Sequence, residues 1–249
     1  MKQSKAPGER APAWTIFPDL EPPAPADGHS VRHVAAEPRL LPDGGRPIDL
    51  AKSTIKITTL SFSNMNQHGD LLVRYLKARH AVFIDKLGWD LPQTDGMEFD
   101  QYDTPLCRWA VLHEFGEVMA GVRLTPTTAQ IGMHSYMLRD AQLGLLDSIP
   151  RDVLFFEAPV GDRIWEASRL FISETVSSER RGEVQRRLMA AMARVARDQN
   201  ATQVIGIVPY VFSRWLRRLG LGAVPVGPKF EIDGTKSQAA LFTVSRYLN

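Results

Sequence analysis

Residues 79–103 read RHAVFIDKLGWDLPQTDGMEFDQYD, and the change of character along this stretch decides how the chain is read. Leu72 and Leu76 upstream join Val82 and Phe83 at roughly helical spacing, which predicts a helix over 67–85. Gly88 and Pro92 then end the helix and open a loop carrying Asp95, Glu98, Asp100 and Asp103. Arg79, Lys86, Phe83 and Trp89 stand just before those acids. An arginine can fork onto a carboxylate, acids can hold an amine, and a Trp or Phe face accepts a cation or a flat base. Such a mixture suits a ligand with a carboxylate, an ammonium or sulfonium, and a ring. It equally suits an amphipathic helix followed by a solvated acidic loop, and composition alone favours that plainer reading.

Outward from this stretch, strands and helices alternate. A strand is predicted over 55–62, and two more over 106–115 and 118–125, joined by a tight turn at Phe115-Gly116-Glu117. Residues 126–162 are less regular, with a short helical candidate at 135–146. A strand follows at 164–172. The segment 183–199 reads as a helix with Leu188, Met192, Val195 and Ala196 on one face. A short apolar strand at 202–208, a helix at 211–219, and strands at 223–232 and 238–244 turning at Asp233-Gly234 complete the pattern. Mixed strands with helices on both faces indicate a three-layer α/β domain.

The 249 residues can bury a substantial core. Thirty basic residues against 28 acidic ones give no bulk attraction to nucleic acid or to a membrane surface. No run approaches the length of a membrane span, and the N-terminus lacks the apolar core of a signal peptide. A single cysteine, Cys107, cannot form an internal disulfide, which fits a reducing cytoplasm, and its strand-like surroundings suit a buried residue better than a nucleophile. No His or Cys cluster has metal-ligand spacing. Residues 1–54 differ from the rest: nine of the 17 prolines fall there, so this segment is expected to be a mobile extension ahead of a domain over 55–249. Trp14, Ile16 and Phe17 form its one apolar cluster.

Trp165-Glu166-Ala167-Ser168-Arg169 lies in a predicted strand, where alternation puts Glu166 and Ser168 on one face and Arg169 on the other. A carboxylate on a central strand is costly to bury unless paired or used. Glu166 could therefore be the partner of Arg123 or Arg79, or a general base whose pKa burial raises towards neutrality.

The order of motifs weighs on that choice. Arg79, Phe83, Leu87-Gly88-Trp89, Gly96-Met97-Glu98, Asp100 and Tyr102-Asp103 are followed by Gly121-Val122-Arg123-Leu124, Pro126-Thr127, Met137-Leu138-Arg139-Asp140 and Trp165-Glu166-Ala167-Ser168-Arg169. Over about residues 55–249 the chain resembles the acyl-homoserine-lactone synthases, the LuxI-type autoinducer synthases. The resemblance implies a GNAT-like α/β/α fold whose mixed sheet has splayed central strands. It implies transfer of an acyl group from an acyl carrier protein or acyl-CoA thioester to the amine of S-adenosylmethionine, a substrate, with no cofactor. Lactonisation then releases methylthioadenosine. Glu166 and Arg79 are implied as catalytic, and Arg79, Phe83, Trp89, Asp100, Asp103, Arg123, Ser168 and Arg169 as the S-adenosylmethionine side, with Arg169 tying strand to loop. Gly206, Val208, Phe212 and Leu216 are implied as the acyl pocket. Relatives that prefer 3-oxo chains often carry threonine at the position of Gly206, so glycine implies an acyl group unsubstituted at C3.

Departures from the family pattern are the N-terminal extension, the insert-like 129–135 segment, and Ala141-Gln142-Leu143-Gly144 in place of an aromatic-Pro turn. His134 is expected at the surface. Arg186, Arg187, Arg194 and Arg197, then Arg214, Arg217 and Arg218, suit either a solvated face or an acidic carrier protein. The stretch Glu179-Arg180-Arg181-Gly182-Glu183-Val184 is a poor version of the acetyltransferase pyrophosphate turn, which favours the carrier. Competing readings are a GNAT-type acyltransferase with a different amine acceptor and a non-catalytic carrier-binding module. A chain beginning at Lys52 is expected to fold and retain synthesis. Aggregation or loss of activity on truncation would place the Trp14–Phe17 cluster in the core.

Overall fold

The computed structural model describes residues 54–210, 212, 223–232 and 234–244. The Trp14, Ile16 and Phe17 cluster, Leu216, the arginines at 214, 217 and 218, and all of the predicted 211–219 helix except Phe212 lie outside the described residues.

Strand β1 (Lys56–Leu60) leads through a 3-10 turn at Met65–His68 into helix α1 (Leu71–His80). Gly69, at φ +58°, interrupts the predicted 67–85 helix, which is why α1 starts late. Wider π-helical turns over Ala81–Lys86 continue it to Gly88. A two-stranded hairpin follows, β2 (Gln93–Thr94) and β3 (Met97–Glu98), turned by Asp95 and Gly96 at φ +50° and +72°. Strands β4 (Arg108–Glu114) and β5 (Glu117–Pro126) are joined at Phe115-Gly116. Helix α2 (Met137–Gln142), strand β6 (Ile164–Ile172), helix α3 (Ser178–Asp198), strand β7 (Gln203–Pro209), and a hairpin of β8 (Ala223–Ile232) and β9 (Thr235–Thr243) complete the order. Helix α3 begins five residues before the predicted 183, because its first turn, Ser178–Gly182, is polar and carries no apolar period.

Seven strands form one mixed sheet in the order β1-β4-β5-β6-β7-β9-β8, antiparallel except for the β6–β7 pair. Cross-strand partners in β4, β5 and β6 separate the two faces. Trp109, Gly121, Arg123, Ser168 and Glu166 face α1 and α2, while Ala110, Ala120, Leu124 and Ala167 face α3. These are the three layers expected. Helix α1 comes so close to the sheet that a Cβ on Gly121 would fall 2.4 Å from the Tyr75 ring. Among the described residues no helix is long and apolar enough to cross a membrane.

The parallel pair is short. Ile164, Trp165 and Glu166 pair with Gln203, Val204 and Ile205, and there the ladder stops. Beyond it β6 stays with β5 to Ile172 and β7 stays with β9 to Pro209, so the sheet opens into a V, the splay expected of the central strands. Gly206 sits where the V opens. A Cβ there would lie 2.5 Å from the Ala167 carbonyl oxygen, a backbone atom that cannot swing away. The expectation that threonine could replace Gly206 and bind a 3-oxo group is therefore corrected: the space belongs to β6. Gly206→Thr is expected to lower stability by about 1–3 kcal/mol through overpacking, without a gain in 3-oxo preference. Thermal melts and donor competition check this, and an unchanged melt with a shift towards the 3-oxo donor would restore the earlier expectation.

Candidate active site

Three arginines and three carboxylates form a closed ring between the sheet and the acidic loop. Arg79, from α1, bonds Glu98 through Nε and forks onto Asp103 at 2.7 and 3.0 Å. Asp103 also meets Arg123, from β5, at 3.0 Å. Arg123 forks onto Asp100, Asp100 meets Arg169 at 2.9 Å, and Arg169 returns to Glu98 at 3.0 Å. The signs alternate around all six members. Arg79, Glu98 and Arg123 are wholly buried, and Trp109 donates its indole N–H to Asp103. Burial alone would raise the Asp103 and Asp100 carboxyls, but neighbouring guanidinium groups outweigh it and hold both below the ordinary aspartate value.

Arg169 reaches this ring against the alternation rule. Gly121 pairs with Phe171 and Arg123 with Ser168, so Arg169 and Leu170 together oppose Val122: β6 carries a bulge. Arg169 adopts φ +52° within it and swings to the face of Ser168, correcting the expectation that it points away. That conformation costs roughly 1–2 kcal/mol for a residue with a Cβ. Two ion pairs and the Phe83 ring, 5.7 Å from the guanidinium, compensate.

Beside the ring lies a cavity of about 340 Å³. Its polar wall is Phe83, Trp89, Asp100, Gln101, Tyr102, Ser168 and Arg169, and the Phe83 and Trp89 rings stack at 5.1 Å. Its apolar wall comes from both arms of the V and from α3, with Gly206, Ile207, Val208, Phe212, Met189, Met192 and Phe242. Arg79, Asp103 and Arg123 do not line it. Their hydrogen bonds are spent in the ring, where Arg79, expected to be catalytic, ties α1 to the acidic loop.

Glu166 is fully buried at the base of the V. It has no ion pair among the described residues. Its two oxygens accept the backbone N–H groups of Met137, at 3.0 Å, and Leu138, at 2.8 Å. Helix α2 has no capping side chain of its own, so a strand carboxylate satisfies its first amides. Burial pushes the Glu166 carboxyl up to about 7, and the two amides and Arg123 only partly oppose this. Neither Arg79 nor Arg123 is its partner; both belong to the ring. Ala167, Ser168 and Met137, immediately around it, line the cavity.

Other sequence expectations resolve more simply. Burial pushes the Cys107 thiol up to about 12, which removes it as a nucleophile. His134, expected at the surface, is partly buried with Nδ1 2.9 Å from Asp140. Of the α3 arginines, Arg186 and Arg194 are exposed, whereas Arg187 is buried against Glu183. Among the described residues no group of three His, Cys, Asp or Glu is placed to hold a metal.

The autoinducer synthase family model matches residues 63–247. The chain belongs to the autoinducer synthase family. It is 32% identical over 162 residues to an acyl-homoserine-lactone synthase of Ralstonia solanacearum, covering 63% of this chain and 74% of that one. It is 29% identical over 194 residues to the isovaleryl-homoserine lactone synthase of Bradyrhizobium diazoefficiens, covering 76% and 80%. Among solved structures, the CoA-dependent acyl-homoserine lactone synthase BjaI, determined with S-adenosylmethionine and isopentyl-CoA, superposes with a TM-score of 0.62 at 26% identity over 77% of this chain and 84% of that one. TofI, in a complex with an inhibitor and methylthioadenosine, gives 0.60 at 27% identity over 76% and 91%. The chain is thus an acyltransferase that makes an acyl-homoserine lactone, a quorum-sensing signal, on a GNAT-like fold.

Arg79→Ala in this synthase leaves Glu98 and Asp103 short of a cation and is expected to cost about 3–5 kcal/mol. Chemical denaturation measures the loss, and faster amide exchange confined first to residues 93–103 marks its origin.

Proposed function

We propose that this synthase binds S-adenosylmethionine against the polar wall and an acyl thioester along the apolar wall, with Glu166 as general base. The observation that carries the reading is Glu166 itself: a buried carboxylate with a pKa near neutrality, paired with no arginine among the described residues, at the point where the V opens onto the cavity. The stacked Phe83 and Trp89 offer a face to the adenine or sulfonium, and Asp100 and Arg169 offer an acceptor and a donor to the methionine end. Arg79, Asp103 and Arg123 act from behind by fixing those groups.

The base removes a proton from the substrate ammonium through one bridging water, because Glu166 does not itself line the cavity. The freed amine attacks the thioester carbonyl, the C–S bond breaks, and the thiolate leaves and takes up a proton. The substrate carboxylate then attacks its own γ-carbon, forming the lactone C–O bond and breaking the bond to the sulfonium. Methylthioadenosine departs with that electron pair. Both substrates are cytoplasmic metabolites, which sets the reaction there.

The donor thioester is carried by coenzyme A or by an acyl carrier protein. The likeness to BjaI, solved with isopentyl-CoA, supports the former, and exposed Arg186 and Arg194 supply a modest basic face for the latter. The part of the apolar wall formed by Met189, Met192, Val208, Phe212 and Phe242 carries no side-chain donor, which supports an acyl group unsubstituted at C3. An unpartnered buried keto group costs roughly 1–3 kcal/mol.

Glu166 must be ionised to accept a proton, so the acylation rate is expected to fall as pH drops through about 7 and to level off above it. Below the midpoint the loss is about tenfold per pH unit, and Glu166→Gln lowers turnover by roughly 10²–10⁴ while costing only about 1–2 kcal/mol of stability. Acylation assays with S-adenosylmethionine and each donor across pH 5–9, read by mass spectrometry of the lactone, check this. A flat profile, or near-normal turnover in Glu166→Gln, would overturn the base.

A further inference from the structure

Five carboxylates are buried among the described residues, and Asp140 is the one that neither the ring nor the base explains. It lies on α2 with no exposed surface. One oxygen accepts the Tyr102 hydroxyl at 2.9 Å and lies 2.9 Å from His134 Nδ1. The other accepts the Ser135 N–H at 2.9 Å and the Ser135 hydroxyl at 2.7 Å. This many contacts on one short carboxylate fix both what lies above it and what lies beside it.

Two of the partners lead to the chemistry. Tyr102 lines the cavity, with the Arg123 guanidinium 5.6 Å from its ring centre, so the bond from its hydroxyl holds that ring in the wall. Ser135 opens the turn that continues into Met137 and Leu138, whose N–H groups hold Glu166. Asp140 therefore joins the acidic loop, which closes the substrate wall, to the helix start that aims the base.

We propose that Asp140 is a positioning residue for acyl transfer, clamping Tyr102 against bound S-adenosylmethionine and fixing the turn that presents Glu166. The proposal rests on Glu166 being the base. Asp140 touches neither substrate nor the reacting atoms. Its surroundings are Tyr102 from the acidic loop, His134, Ser135 and Arg139 from its own segment, and Glu166 from β6. Glu166 in turn faces Arg123 from β5, Tyr102, Tyr136 and Asp140, and the negative charge of Asp140 adds to burial in raising its carboxyl.

The test is steady-state kinetics of the full chain across pH for Asp140→Asn and Tyr102→Phe, with thermal melts of each. Asp140→Asn removes the charge, and is expected to raise KM for S-adenosylmethionine about threefold or more and lower kcat about fivefold or more. It should also move the acid limb to lower pH, because the charge of Asp140 no longer opposes ionisation of Glu166, and a loss of packing alone would not do so. Tyr102→Phe removes only the hydroxyl, and should raise KM similarly while leaving the acid limb in place. A folded Asp140→Asn enzyme with unchanged KM and acid limb would overturn the proposal. Should that variant not fold, Tyr102→Phe decides alone: a raised KM supports the clamp and an unchanged KM sinks it. Failure of the base shows up separately, as an acid limb that survives in Glu166→Gln.

Discussion

The structure depends on the closed ring of Arg79, Glu98, Arg169, Asp100, Arg123 and Asp103. An isolated ion moved from water into protein loses several kcal/mol of hydration, and six such groups would not bury alone. Here each cation touches two anions and each anion two cations, so the sum of charges is zero and every neighbour is opposite. Such an arrangement is a better specifier than stabiliser, because apolar residues of equal volume could match its stability. What it specifies is where the loop after α1 must sit. That loop packs Leu87, Trp89, Leu91 and Met97 against the core, and its three acids bring it onto α1, β5 and β6 together.

The ring has a consequence for Glu166. Arg79, Arg123 and Arg169 are committed to Glu98, Asp100 and Asp103, and among the described residues no arginine pairs with Glu166. A carboxylate forked by an arginine would titrate far below neutrality and make a poor proton acceptor at physiological pH. Glu166 is instead held by two backbone amides, which position it and lower its pKa less than burial raises it. The ring and Glu166 are two halves of one electrostatic arrangement, in which the acids of the loop keep the arginines occupied.

Much of this was legible in the sequence. The strand carrying Glu166 is observed over the predicted 164–172, and the layered α/β architecture follows from the alternation of elements. What escaped was local and had a physical cause in each case. Arg169 was put on the wrong face because alternation assumes a regular strand, and a single extra residue in β6 turns it over. Glu98 stands in the Gly96-Met97-Glu98 motif, whose spacing alone assigns it no role. The Asp95-Gly96 dipeptide, a strong hairpin signal, would have placed it on a paired strand rather than in a loop. Asp140 and Tyr102 meet across 38 residues, through a tertiary contact that no local spacing encodes. The commitment of Arg79 to Glu98 and Asp103 was not legible, because a sequence shows which charges are present but not which of them are already satisfied.

The opening of the sheet ties these elements together. Strands β6 and β7 pair over three residues each and then part, and the point of parting is set by Gly206, where the β6 backbone occupies the place of a side chain. A larger residue there would push the strands apart one step earlier, alongside Glu166 rather than beyond it. The glycine thus lets the ladder run as far as Glu166 and no further. Glu166 consequently is the last residue of β6 paired with β7, while the next residues, Ala167 and Ser168, already line open space. A carboxylate at the end of a ladder combines two properties that oppose each other elsewhere in a fold: burial deep enough to raise its pKa, and a cavity beginning one residue away.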